Sequence, residues 1–182
     1  MDASEVWIGA VPYTAGLRQW MNAGGHYLNN APPGCLYAVA VMHATDGLFD
    51  EPVGDGVVRG LCIVGRPVAR ALPQDGSVGE VTRLYLEPGL PYGTASAVLR
   101  AAGRIGRERG MQRLISYHDR TRHTGCIYKK AGFKRDGVVA NAGKGWASRN
   151  RSQSAIQAAV TPKRRWKLEL TKETPDAAVR VH

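Results

Sequence analysis

"GEVTRLYLEPGLPYGTASAVLRAAGRIGRERGMQRLISY", residues 79–117, decides the fold. It opens with an apolar, strand-like run over 79–88 that Pro88 stops. Residues 89–92 make a tight loop. From Gly93 onward, Ala95, Val98, Leu99, Ala102, Ile105 and Gly106 recur at the spacing of an amphipathic helix. Arg100, Arg104 and Arg107 share the opposite face, and Gly110 supplies a C-terminal stop. "RLISY" (113–117) then reads as another strand. Strand, glycine-containing loop, helix and strand form a βαβ unit, whose two strands should be parallel. The fold class is α/β.

Upstream, "LYAVAVM" (36–42) and "VVRGLCIVG" (57–65) read as buried strands joined by a loop over 44–56, so a hairpin is expected. "NNAPPGC" (29–35) is a turn. Before it, Trp7, Leu17, Trp20 and Met21 are spaced like one or two helices. Downstream, "ISYHDRTRHTGCIYKKAGF" (115–133) carries a strand that stops at His118-Asp119, a basic loop, and a short helix holding Tyr128 and closed by Gly132-Phe133. After Gly143 the chain turns polar and basic, punctuated by Trp146 and Trp166. The expected organisation is a domain over 1–142 and a basic C-terminal extension over 143–182 that packs on it or extends it. The last residues read as a mobile tail.

The 182 residues, 43% hydrophobic, are enough to bury a core. No apolar run reaches membrane-spanning length, and the N-terminus has no secretory pattern. Three scattered cysteines fit a reducing cytoplasm and make a structural zinc site a poor expectation. Net charge is +10 and unevenly spread: residues 1–60 hold two basic side chains against six acidic, residues 134–167 nine against one. That polarity suits a surface meeting polyanions, nucleic acid first among them; a solvated basic face is the alternative.

Two stretches carry chemistry. A loop that enters a helix after a strand points free N–H groups and the positive helix end at an anion, and glycine lets the backbone approach. Here that loop is Leu90-Pro91-Tyr92-Gly93-Thr94-Ala95. It resembles the acyl-CoA pyrophosphate loop of the GNAT acetyltransferases, Gln/Arg-x-x-Gly-x-Gly/Ala, with Leu90 in place of the Gln or Arg. On the residues alone an ordinary strand-to-helix turn stays open. The order of elements also resembles GNAT proteins, where a tyrosine in the later helix protonates the departing thiolate; Tyr128 matches it, and a core tyrosine is the other reading.

The longer string is similar to the phage Mu Mom family of DNA-modification proteins. Ser116, Tyr117, Asp119, His123, Gly125, Ile127, Tyr128, Phe133 and Gly137 carry that likeness, and Arg83 in "TRLY" and the late "TPKRRW" (161–166) add to it. The resemblance covers residues 78–168 and implies a splayed, mixed GNAT-like sheet flanked by helices. It further implies transfer of an acetamido- or acyl-type group to the exocyclic N6 amine of adenine in double-stranded DNA, protecting it from restriction.

It assigns Asp119 as base or orienter, Tyr128 as acid, and Arg83 and Ser116 as supporting catalytic residues. Acetyl-CoA or a related acyl-CoA would be held by Leu86, Tyr92, Gly93, Thr94, Ala95 and Ser96. Helix capping is the competing job for Asp119. His118, Asp119 and His123 raise an iron reading that no geometry fixes, and the expected metal is none. DNA would meet Lys144, Trp146, Arg149, Arg151, Lys163, Arg164, Arg165 and Trp166, with the tryptophans stacking on bases. The cytoplasm would be that of a bacterial host if the chain is phage-encoded. Alternatives are an N-acetyltransferase acting on a protein or small amine, and a non-catalytic nucleic-acid-binding module. Oligomeric state is not legible.

Overall fold

The computed structural model describes residues 6–24, 30–43, 57–139 and 162–170. The first strand, β1 (Val6–Val11), leads into helix α1 (Ala15–Ala23). Thr14 caps that helix, its side chain accepting the Leu17 N–H at 3.2 Å. Trp7, which the spacing places on a helix, lies instead in β1, where pairing with β2 (Tyr37–His43) overrides the loose helical pattern. β2 pairs antiparallel with β3 (Val58–Gly65), the expected hairpin, and β3 pairs antiparallel with β4 (Val78–Leu86).

Helix α2 (Thr94–Glu108) connects β4 to β5 (Arg113–Asp119), and those two strands are parallel, as the βαβ reading requires. Helix α3 (Cys126–Lys130) and strand β6 (Lys134–Val139) follow, and β7 (Lys163–Glu169) completes one seven-stranded sheet in the order β1-β2-β3-β4-β5-β7-β6. The segment after 143 therefore supplies a strand inside the sheet, between β5 and β6.

α2 buries ten of its residues, many of them alanine or glycine. A Cβ on Gly103 would sit 2.8 Å from Leu168 Cδ2 of β7, so glycine lets α2 pack directly against that leucine without displacing its methyl. The Tyr37 hydroxyl donates to the Ala102 carbonyl at 2.7 Å and pins α2 to β2. One core, with Val39, Leu99, Leu114 and Trp166, lies under α2 and α3; a second, with Met21, Leu61 and Ile63, lies under α1.

The feature that creates a site is where the sheet opens. β4 pairs with β5 only from Val78↔Arg113 to Val81↔Ser116. On the β3 side, Ile63 faces Arg83 while Val64 faces Val81, so Thr82 is an extra residue, a bulge. Bulges bend a strand and interrupt its pairing. Beyond the bulge β4 stays with β3 and β5 stays with β7, and the two halves of the sheet separate.

Candidate active site

One wall of the site is the β4–α2 connection. Gly93 takes φ 96° at the N-cap of α2, a conformation that favours glycine, and no side chain caps the first turn. The hydroxyls of Thr94 and Ser96 turn back onto the loop, donating to the carbonyls of Pro91 (2.7 Å) and Gly93 (2.8 Å). They rigidify the loop and leave the positive helix end facing outward. Leu86, Tyr92, Gly93, Thr94, Ala95 and Ser96 line a cavity of about 350 Å³, closed on the other side by Cys126, Ile127 and Lys130 of α3.

Behind α3, and not lining the cavity, lies a buried cluster on β5, α3 and β7. Ser116 donates to the Tyr128 hydroxyl at 3.0 Å. The Trp166 indole N–H donates to His118 Nδ1 at 2.6 Å. The His118, Tyr128 and Trp166 rings pack together, Tyr128 stacking on Trp166 with centroids 5.5 Å apart. Gly125 makes this possible: a Cβ there would fall 2.6 Å from Trp166 and 2.7 Å from His118, and its φ is 78°. An indole nitrogen only donates, so His118 Nδ1 must be the acceptor and its proton must sit on Nε2. Burial pushes the His118 pKa down, with the Arg164 and His123 charges adding to it and Asp119 opposing. His118 is a neutral imidazole at pH 7.

Asp119 lies elsewhere. Strand alternation puts Ser116 and His118 on the α3 side and Asp119 on the other. Its Oδ1 accepts the Thr121 N–H (2.8 Å) and hydroxyl (2.6 Å), and Oδ2 lies 3.6 Å from Arg122 Nε. Burial would raise its pKa, but the Thr121 bonds and the charges of Arg122 and His123 outweigh it and hold the carboxyl below its usual range. The helix-cap reading is corrected: Gly125, not Asp119, is the N-cap of α3, and Asp119 closes the turn at 119–123. The cation beside Asp119 is Arg122. Arg83 binds the Asn30 carbonyl through Nε (3.0 Å) and Nη2 (2.7 Å).

Glu80, which the sequence did not single out, is a buried carboxylate on β4 one residue before the split. Burial raises its pKa against the opposing pull of the Val68 N–H, Lys163 and Arg83. No pattern marks it, since a charged residue in a strand is ordinarily read as exposed.

The basic residues divide. Lys144, Trp146, Arg149 and Arg151 lie outside the described residues. Lys163 opens β7, Arg164 lies near His118, and Arg165 is paired with Asp136 at 2.7 Å. Trp166 is 2% exposed, which corrects its expected role: Tyr128 stacks on its ring and the Arg135 guanidinium lies 5.9 Å from the ring centre, so no base can stack on it. Among the described residues no three His, Cys, Asp or Glu side chains converge as metal ligands, and the His118 nitrogen facing Trp166 is already occupied.

Several solved structures share this architecture. A protein of Acinetobacter baylyi ADP1 assigned as an acetyltransferase superposes with TM-score 0.62 at 12% identity, over 97% of this chain and 98% of its own. The yncA protein of Salmonella typhimurium, with its cofactor acetyl-CoA, gives 0.59 at 13%, over 95% and 99%. A ribosomal-protein alanine N-acetyltransferase of Escherichia coli gives 0.56 at 11%, over 96% and 100%. The chain has the GNAT fold. No family model and no curated protein matches the sequence.

Proposed function

We propose that this chain is an acyltransferase that uses an acyl-CoA donor and acts on the exocyclic N6 amine of adenine in DNA, protecting that DNA from restriction. The observation that carries the reading is a juxtaposition. Ser116 and Tyr128, two residues of the Mom-like string, are hydrogen-bonded to each other, while residues on either side of Tyr128 line the Gly93 cavity. The residues fit a CoA: an uncapped helix N-terminus on the cavity wall, preceded by a strand edge released from its neighbour.

When bound, an acyl-CoA supplies an activated acyl thioester. This chain's own residues then handle protons. Tyr128, oriented by Ser116, is the hydroxyl suited to protonate a departing sulfur. An exocyclic amine must shed a proton as it bonds to carbon, and the acceptor for that proton should have a raised pKa. Glu80 meets that condition, held by the Val68 N–H at 2.8 Å on the sheet face opposite Ser116, which Asp119 shares; the Asp119 carboxyl is held low by Thr121 and Arg122. Asp119 instead orders the loop leading into α3. His118, fixed as the Nε2 tautomer, keeps Tyr128 and Trp166 in register. The charge of +10 supports a polyanionic acceptor.

A protein or small amine is the second acceptor class, favoured by the burial of Trp166, which takes one aromatic away from base recognition. Mass spectrometry of nucleosides from DNA of expressing cells separates them. Deoxyadenosine carrying an added acyl-type mass is expected; unmodified DNA with acylated protein or polyamine moves the acceptor to the second class.

A further inference from the structure

Among the described residues, the cavity between the β4–α2 loop and α3 has one cation on its wall. From Leu86 to Ser96 the loop carries no basic residue, and its one acid, Glu87, is paired with Arg59. Lys130 reaches the cavity from the opposite wall, at the last position of α3. Its ammonium is hydrogen-bonded to the Tyr92 hydroxyl and lies 4.4 Å from the centroid of the Tyr92 ring. The contact bridges the two walls at the cavity mouth.

Two features argue against a merely structural contact. Tyr92 is 87% exposed, so its ring is not held by packing, and an exposed pairing of this kind adds little to stability. Lysine has three N–H donors, and the tyrosine hydroxyl takes only one. The remaining donors sit at the rim of a cavity whose Thr94 and Ser96 hydroxyls are already spent on the carbonyls of Pro91 and Gly93. Tyr92 thus fixes the direction of a charge that a free lysine would spread over many rotamers.

We infer that Lys130, steered by Tyr92, is the cation that binds a phosphate of the acyl-CoA donor. Lys129, its neighbour on α3, does not line the cavity and is the natural control. The inference rests on the acyl-CoA reading above.

The test is calorimetric titration of CoA and of 3′-dephospho-CoA into wild type, Lys130→Gln and Lys129→Gln at two salt concentrations. Lys130→Gln should weaken CoA binding about tenfold or more and flatten its salt dependence, while Lys129→Gln stays at the wild-type value. A loss confined to CoA assigns the 3′-phosphate to Lys130; an equal loss with both ligands assigns the pyrophosphate. CoA binding by Lys130→Gln at wild-type strength and salt dependence overturns the role of Lys130 alone. A wild-type protein that binds neither ligand overturns the donor reading itself. Melting temperatures of all three proteins check that the fold is kept.

Discussion

Two carboxylates compete for the proton-accepting role, and their surroundings separate them. Asp119 has both oxygens engaged by Thr121 and Arg122 and closes a turn that asparagine could also close, since its amide oxygen accepts the same N–H. Glu80 is buried with its pKa raised. Asp119→Asn should therefore retain activity within a few fold, whereas Glu80→Gln and Tyr128→Phe should each lose on the order of a hundredfold or more. Steady-state rates, with melting temperatures alongside, check this; the reverse ranking returns Asp119 to the chemistry. His118 gives a pH signature. Its folded pKa lies below the ordinary 6.5, so the stability tied to its neutral form is present above that value and lost as pH falls through the folded pKa. Urea midpoints measured over about pH 5 to 7.5 should fall on acidification, and His118→Gln should flatten that slope. An unchanged slope in the variant would remove His118 as its source.

Among the elements, the β4–α2–β5 unit was legible because periodicity is local: the alanine, valine and leucine spacing of 95–106 needs no knowledge of the rest of the chain. β7 was not, because its partners lie 44 to 56 residues away in β5, as in Asp119↔Lys163 and Arg113↔Glu169. Its alternation was nonetheless present in "WKLEL", where Trp166, Leu168 and Leu170 fall on one face, but the flanking basic residues suggested a solvated segment instead. The α2 entrance carries the next prediction. Gly93 and Gly110 bracket α2 at φ 96° and 79°, and a Cβ at either meets open space. Valine at either position should cost roughly 1–3 kcal/mol of backbone strain. Only Gly93→Val should also abolish CoA binding, because only Gly93 lines the cavity. Equal CoA affinity in the two variants, read by calorimetry, would place the donor elsewhere.

At the scale of the molecule, one sheet with an early bulge at Thr82 produces two diverging arms, and the proposed chemistry lies where they part. Charge distribution marked the basic half of the chain, but not the way part of that charge is spent internally, with Arg165 and Lys167 sharing Asp136. Transfer from an acyl-CoA to a nucleic-acid acceptor, as proposed, is open to one direct measurement. Purified protein is incubated with duplex DNA and acetyl-CoA labelled in the acetyl group, and the digested nucleosides are resolved by mass spectrometry. The expected result is label on deoxyadenosine, absent with Tyr128→Phe; DNA free of label, from protein that binds acetyl-CoA, would contradict it.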